Sequence, residues 1–323
     1  MPVRLQQPRG TRLWPDFAWG HFNLGYVLGQ SGRRQEAIDE YTRAWSCDQT
    51  CTLALVNRGL AELELKQHRP ALEDFDEALR RGHDDAAIHA GRGVALEALE
   101  RSAEADAAFA AALGRLDDAA EPVQARIHAV HGLAIAVRRP DQAHAEFARA
   151  LRIDRNNPQA LLGMAQLAEA TDLAEALRFL DRALETDLHF LEARRYRALL
   201  GARAGRLENA GKDINSCLEQ ERTPTTDTLY AAACIAVRVM DKFPTQRMTE
   251  QALSLPEKAL AQGYPADRAS RDVDLGPIRK HPEFVRLLAR TTADANSAPP
   301  YATDKSPVGP MILARWVGSM PAR

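Results

Sequence analysis

Small and apolar residues recur along this chain with the period of a helix and, over longer distances, with a second period of 34. Gly25, Gly59 and Gly93 recur at that longer period, as do Ala37, Ala71 and Ala105, then Tyr41, Phe75 and Phe109, then Ala44, Ala78 and Ala112. Counted from the glycine as position i, the first alanine stands at i+12, the aromatic at i+16 and the second alanine at i+19. Steps of four and three place alanine, ring and alanine on one helical face. Breakers such as GQSGR (Gly29 to Arg33) lie between the glycine and the first alanine. Each unit therefore predicts two antiparallel helices joined by a short turn. Small residues let the two helices approach, and the ring fills the space they frame.

The register continues with spacers. Ala143, Ala176 and Ala210 extend the alanine column, with Phe147, Leu180 and Ile214 in the ring column. The step from Ala105 to Ala143 exceeds one period by four, which places a widened junction at AAEPVQ, from Ala119 to Gln124. The step from Ala210 to Ala252 exceeds it by eight, and the excess falls between Arg238 and Glu250, which predicts a long loop inside a seventh pair. Pro256 then falls within a helix and predicts a bend or a late start. Units are expected at 18–51, 52–85, 86–119, 124–156, 157–190, 191–224 and 225–265, after an N-terminal extension, 1–17. A capping region follows at 266–290, with its helix starting at His281. Beyond Arg290 proline, serine, alanine and threonine take over and predict a disordered tail, 291–323. The apolar run Met311 to Val317 inside it reads as a docking motif for a partner groove or as frayed apolar residues.

These units resemble the tetratricopeptide repeat, whose unit of about 34 residues carries small residues at about its eighth, twentieth and twenty-seventh positions and an aromatic at about its twenty-fourth. The match is best in NLGYVLGQSGRRQEAIDEYTRAW (Asn23 to Trp45) and NRGLAELELKQHRPALEDFDEAL (Asn57 to Leu79), and the resemblance covers residues 18–290. It implies an all-α, right-handed superhelical solenoid of about seven antiparallel helix pairs with a C-terminal capping helix. It further implies a non-catalytic protein–protein interaction scaffold that holds an extended peptide or partner segment in a concave groove. The stretch Pro256 to Arg290 is similar to the end of bacterial arrays of this family, some of which are joined to a serine/threonine kinase. The alternative is therefore a regulatory or targeting region separated from such an enzyme. The sequence has no HRD, no DFG and no glycine-rich nucleotide loop.

In that family the second, fifth, sixth and ninth positions of a unit, or residues near them, face the groove. The resemblance thus implies Trp19, Phe22, Asn23 and Tyr26 in the first unit and Leu53, Val56, Asn57 and Leu60 in the second. Asn23 and Asn57 are one period apart, and a carboxamide offers both donors and an acceptor to a peptide backbone. Asparagines that merely face water are the alternative. The sixth unit offers Arg195 and Tyr196, in a helix that also carries Arg194, Arg197, Arg203 and Arg206. Those arginines read either as a patch for an acidic or phosphorylated segment or as an acid-paired face. Of the clamp with which some members hold a C-terminal carboxylate only the asparagine survives, at Asn57, since Phe22, Tyr26, Ala87 and Gly91 stand at its other positions.

Composition agrees with close-packed helices: 57 of 323 residues are alanine and 6% are aromatic. Lysine plus arginine, 42, nearly balances aspartate plus glutamate, 44, so no global positive field draws a phosphate backbone. The expected partner is a protein or peptide, with no nucleic acid and no membrane. Cys47, Cys51, Cys217 and Cys234 are too few for a disulfide scaffold, the stretch Met1 to Pro15 lacks the apolar core of a signal peptide, and the apolar run Leu229 to Val237 is too short for a membrane span. A soluble cytoplasmic protein is expected.

Candidate chemistry is sparse. Gly91 and Gly93 begin a GxG whose third glycine position holds Leu96, and Ser31 lies in a helix turn rather than an elbow after a strand. His128, His131 and His144 fall on two antiparallel helices and could approach one metal, but no fourth ligand accompanies them. Asp84, Asp85, Asp117 and Asp118 fall between units, where turn residues belong. No catalytic residue, no metal and no cofactor is expected. The oligomeric state is left open.

Overall fold

The computed structural model describes residues 17–221 and 223–297. Among them, α-helices and two short 3₁₀ turns follow one another, and no strand occurs. They form two compact units, whose described residues are 17–163 and 164–297. The apolar run at 311–317 lies outside the described residues.

The first unit contains α1 (Ala18–Gln30), α2 (Arg34–Cys47), α3 (Thr52–Glu64), α4 (His68–Arg80), α5 (Ala86–Ala98), α6 (Ser102–Leu113), α7 (Glu121–Ile135) and α8 (Pro140–Ile153), and α9 (Pro158–Ala168) begins in it. Helices pack in consecutive pairs, α1 on α2 through α7 on α8, and α3 and α5 also pack on the second helix of the preceding pair. The glycine and ring columns set the spacing. A Cβ added to Gly25 would lie 2.9 Å from the Tyr41 ring, one on Gly93 2.9 Å from Phe109, and one on Gly132 2.6 Å from Phe147. Phe75 is held from two sides, by Gly59 of its own pair and Gly91 of the next. All four rings are fully buried.

The turns between paired helices repeat as well. Gly32, Lys66 and Glu100 stand one repeat period apart, and all take positive φ, at 78°, 60° and 59°. The left-handed residue lets the next amide close the helix end: Arg33 N donates to Leu28 O at 3.0 Å, Gln67 N to Glu62 O at 2.8 Å and Arg101 N to Leu96 O at 2.9 Å. Only the first turn uses the residue that adopts this conformation without a Cβ penalty.

A third column lies one residue before the ring. Glu40, Asp74 and Glu146 are buried on second helices, and each is bonded from the first helix of its own pair. His21 Nδ1 lies 2.6 Å from Glu40 Oε2, Arg58 donates to both oxygens of Asp74 at 2.7 and 2.6 Å, and His128 Nδ1 lies 2.6 Å from Glu146 Oε2. Burial works to raise the Glu146 carboxyl, but the hydrogen bond from His128 and the nearby His131 imidazole, 3.7 Å away, outweigh it and hold it at about 2. Glu62 on α3 is the contrary case. Arg58 is committed to Asp74 and stands 3.9 Å from Glu62, so burial, then the Asp74 charge, push the Glu62 carboxyl up to about 8.

The second unit contains α10 (Leu173–Thr186), α11 (Leu191–Arg203), α12 (Leu207–Gln220), α13 (Thr226–Lys242), α14 (Gln246–Ala261), α15 (Ala266–Arg271), a 3₁₀ turn (Val273–Ile278) and α16 (Pro282–Ser297). The insertion in the seventh pair is not a long loop. It lengthens α13 and α14 so that only residues 243–245 lie between them, and Thr245 caps α14 by accepting from Met248 N at 3.2 Å. Pro256 lies inside α14, which neither starts late nor stops at it. α16 continues to Ser297, beyond Arg290, where the composition predicts disorder.

The capping region is a broken helix followed by a whole one. The 3₁₀ turn packs on α13 and α16 packs on α14, burying Leu275, Ile278 and Phe284. Asp274, 1% exposed, accepts from Arg203 Nε at 2.9 Å and from Arg238 Nε at 2.8 Å. Glu169, Arg203, Arg238 and Asp274 follow one another at the repeat period or one or two positions beyond it, so the turn holds the register of an eighth unit.

Chemical denaturation tests these contacts. Gly132→Ala lowers stability by about 1–3 kcal/mol although alanine is the better helix former, because its Cβ meets Phe147, whereas Lys66→Gly raises it by about 0.5–1 kcal/mol. Glu62, ordinarily near 4.5, is raised, so its favourable contribution is complete below that value and is lost as pH rises through about 8. Glu62→Gln therefore gains stability relative to the parent as pH rises across that window, and a constant difference contradicts the assignment. Asp274→Ala leaves two guanidinium groups without their buried acceptor and costs about 3–5 kcal/mol.

Candidate functional site

The ten residues expected in a groove separate sharply by exposure. On α1, Trp19 is 41% exposed, Asn23 is exposed and Tyr26 is half-buried. Helical geometry puts residues 19, 23, 26 and 30 on one face, opposite the face that α2 covers. Phe22 is buried beside them, edge-on to Trp19 with centroids 5.2 Å apart and 5.8 Å from the Tyr41 ring. Leu53, at the start of α3, is half-buried against the core formed by Phe22, Leu24 and Tyr41. Val56 and Leu60 belong to the interior, at 0% and 2% exposure. Asn57 is buried too, and its Nδ2 donates to Leu53 O at 2.9 Å. Asn23 and Asn57 share a register without sharing an environment.

Arg195 and Tyr196 lie in the second unit, on α11. Arg195 is buried, and its Nη1 donates to Thr228 Oγ1 at 2.9 Å and to Glu221 Oε1 at 3.1 Å. The Tyr196 hydroxyl donates to Glu169, and burial, then that carboxylate, raise its pKa. Arg197 donates to both oxygens of Asp213 at 2.8 and 2.7 Å and to Asp181 at 2.9 Å, while Arg194 lies 3.8 Å from Asp213 and Arg203 is held by Glu169 and Asp274. These arginines form an acid-paired face.

The sites that suggest chemistry resolve into packing. His128 and His131 both point at Glu146, His131 also stacks on Phe109 with centroids 4.6 Å apart, and His144 is on the exposed side of α8. Gly91 and Gly93 sit inside α5 against rings, and Ser31 Oγ donates to Val27 O at 2.8 Å. Among the described residues, Cys234, Asp272 and Asp274 bring three potential metal-ligand atoms within 4.8 Å of one another. Their lone pairs are already engaged: Asp274 accepts from two arginines, while Asp272 accepts from Tyr230 Oη at 2.8 Å and from Asp274 N at 2.8 Å. Tyr230 stacks on Tyr264 at 3.6 Å, closing the cluster. A cation there would have to displace two guanidinium groups from a buried carboxylate, so this donor set does not fit a metal.

Sequence reasoning missed Val27, which is 42% exposed and adjoins Trp19 and Asn23 on α1. Its signal lies in the columns, because Ala61 and Ala95 occupy its place in the next two units and are fully buried. The resulting site is an uncharged ridge with one large aromatic, a carboxamide and an aliphatic side chain in water, and the Tyr26 ring at its edge. Such a surface offers apolar contact area and hydrogen bonding, with no group placed for proton transfer or nucleophilic attack. Among the described residues no helix is long and apolar enough to cross a membrane.

No family model matches the chain, and none of the curated proteins matches it. Solved structures do, in 155 chains. A tetratricopeptide repeat protein from Parabacteroides merdae is 18% identical with a TM-score of 0.51, over 85% of this chain and 98% of that one. A chain of the APC/C hetero-tetramer Cut9–Hcn1 is 13% identical with a TM-score of 0.56, over 88% of this chain and 51% of that one. IFIT1, in a structure with the capped RNA m7Gppp-AAAA, is 12% identical with a TM-score of 0.58, over 87% of this chain and 71% of that one. At these identities the likeness is one of fold, and the fold is the all-α helix-pair solenoid of tetratricopeptide proteins.

Proposed function

We propose that this chain is a non-catalytic protein-interaction scaffold that takes an extended peptide or partner segment on the face of α1, with Trp19, Asn23 and Tyr26 in contact and Leu53 at the border. The single observation that carries this reading is the exposed aromatic and amide row on a helix whose other side is fixed by the Gly25–Tyr41 contact. Side chains held on a rigid pair bind with little ordering cost, and half-exposed aromatics are the usual anchors of such contacts. The near-neutral charge balance and the paired arginines of α11 favour a protein over a phosphate backbone as partner. The four free thiols suit a reducing cytoplasm. Arg195 and Tyr196 are left as structural groups of the second unit.

Peptides selected from a random display library against the full chain provide the test. Trp19→Ala and Tyr26→Ala each weaken the selected peptides about tenfold or more, Asn23→Ala weakens them less, and helicity by circular dichroism is unchanged. Selected peptides that bind Trp19→Ala and Tyr26→Ala as tightly as the parent overturn the assignment.

A further inference from the structure

Within the first unit, α1 differs from the other first helices along a whole face: the Trp19 column holds buried Ala87 and Ala125, the Asn23 column holds buried Asn57 and Ala129, and a third column behaves the same way. Val27, Ala61, Ala95 and Leu133 hold equivalent places in their units. Ala61 and Ala95 are 0% and Leu133 is 1% exposed, whereas Val27 is 42% exposed. Trp19, Asn23 and Val27 follow one another at i, i+4 and i+8 and are all exposed, so they form a single ridge of the kind that packs into the groove of another helix. The helix bears no Lys, Arg, Asp or Glu, and its one histidine, His21, is turned inward to Glu40.

We infer that this ridge is the contact of a symmetric dimer, occupied by α1 of a second copy of the chain lying antiparallel. The ridge is centred on Asn23, so an antiparallel copy sets Trp19 against Val27 of the second copy at both ends. The two Asn23 carboxamides meet at the axis, where each supplies the donor that the other accepts. Charge matching also points to a copy of itself. A charged partner helix would be desolvated against this ridge with no opposite charge to pair with, while a second α1 brings none. One helix crossing lies at the small end of specific interfaces, so the association is reversible and falls in the micromolar range. The inference rests on α1 being an interaction face and gives that face an occupant of its own. Val27 serves only the dimer; Tyr26 and Leu53 serve only the peptide surface.

Sedimentation velocity of the full chain from about 1 to about 100 µM reads the association directly, since an interface of this size dissociates in that window. The parent's sedimentation coefficient rises with concentration, Val27→Lys shifts the rise at least about tenfold higher, and Tyr26→Ala leaves it in place while losing selected peptides. In a Cys47→Ser background, Asn23→Cys forms a disulfide-linked dimer under mild oxidation faster than Gln35→Cys, an exposed control on α2. A parent that stays monomeric across the series, a dimer indifferent to Val27→Lys, or a monomer whose α1 amides are protected by its own chain each overturns the inference. Selected peptides that still bind Tyr26→Ala and Trp19→Ala while the dimer behaves as expected would instead remove the peptide surface alone.

Discussion

The contact on which the first unit depends is the approach of a helix backbone to an aromatic ring where a side chain would otherwise stand. Gly25, Gly59, Gly93 and Gly132 each meet a fully buried ring, and a Cβ added to any of them would lie 2.6 to 3.1 Å from a ring carbon. That closeness fixes the separation within a pair. It also drives the alanine columns, because Ala37, Ala71, Ala105 and Ala143, all fully buried, line the same contact. Once paired helices lie this close, an acid on the second helix reaches a cation or imidazole on the first. The Glu40, Asp74 and Glu146 pairs therefore follow from the glycine contact, and they penalise any slip of one helix along the other.

The pairs were legible because a ring, two alanines and a glycine at fixed spacing leave one way of packing. Local features that several residue types satisfy were less so. Glu100 and Lys66 close their turns in the left-handed conformation without a glycine to announce it. The seventh pair is longer than one period, and an excess reads as a loop. Here the apolar period continues through LYAAACIAVRVM, so two longer helices bury more surface than a loop would. The eighth pair was hidden because its first helix is interrupted at Asp272 and Pro277. Its register survives in the charges at Glu169, Arg203, Arg238 and Asp274, a column that hydrophobic patterning does not register.

The candidate surface was half legible for a related reason. A groove rule carried from a family assumes first helices spaced widely enough to leave their facing side in water. In this chain α3 packs on α5 through Val56, Leu60, Ala87 and Ala90, all buried, so two expected contact residues became core. The same closeness withdrew Asn57 from water and turned its amide onto its own helix. Asn23 escaped because α1 has no such neighbour on its outer side among the described residues.

The two units also differ in how a first helix is covered. In the second, the face of α13 that carries Tyr230, Cys234 and Arg238 is closed by Asp272, Asp274 and Tyr264, with the tyrosine hydroxyl and the guanidinium each matched to a carboxylate. In the first, α1 keeps Trp19, Asn23 and Val27 exposed. Other solvent-facing helix positions in this chain carry lysine or glutamate, for example Glu208 and Lys212 on α12, although Val285 on α16 is half-exposed. An uncharged ridge with a tryptophan and a valine forgoes that hydration, and the proposed contact would remove it from water. That composition is what the proposed interface requires, and the Gly25–Tyr41 contact holds the helix pair rigid before anything binds.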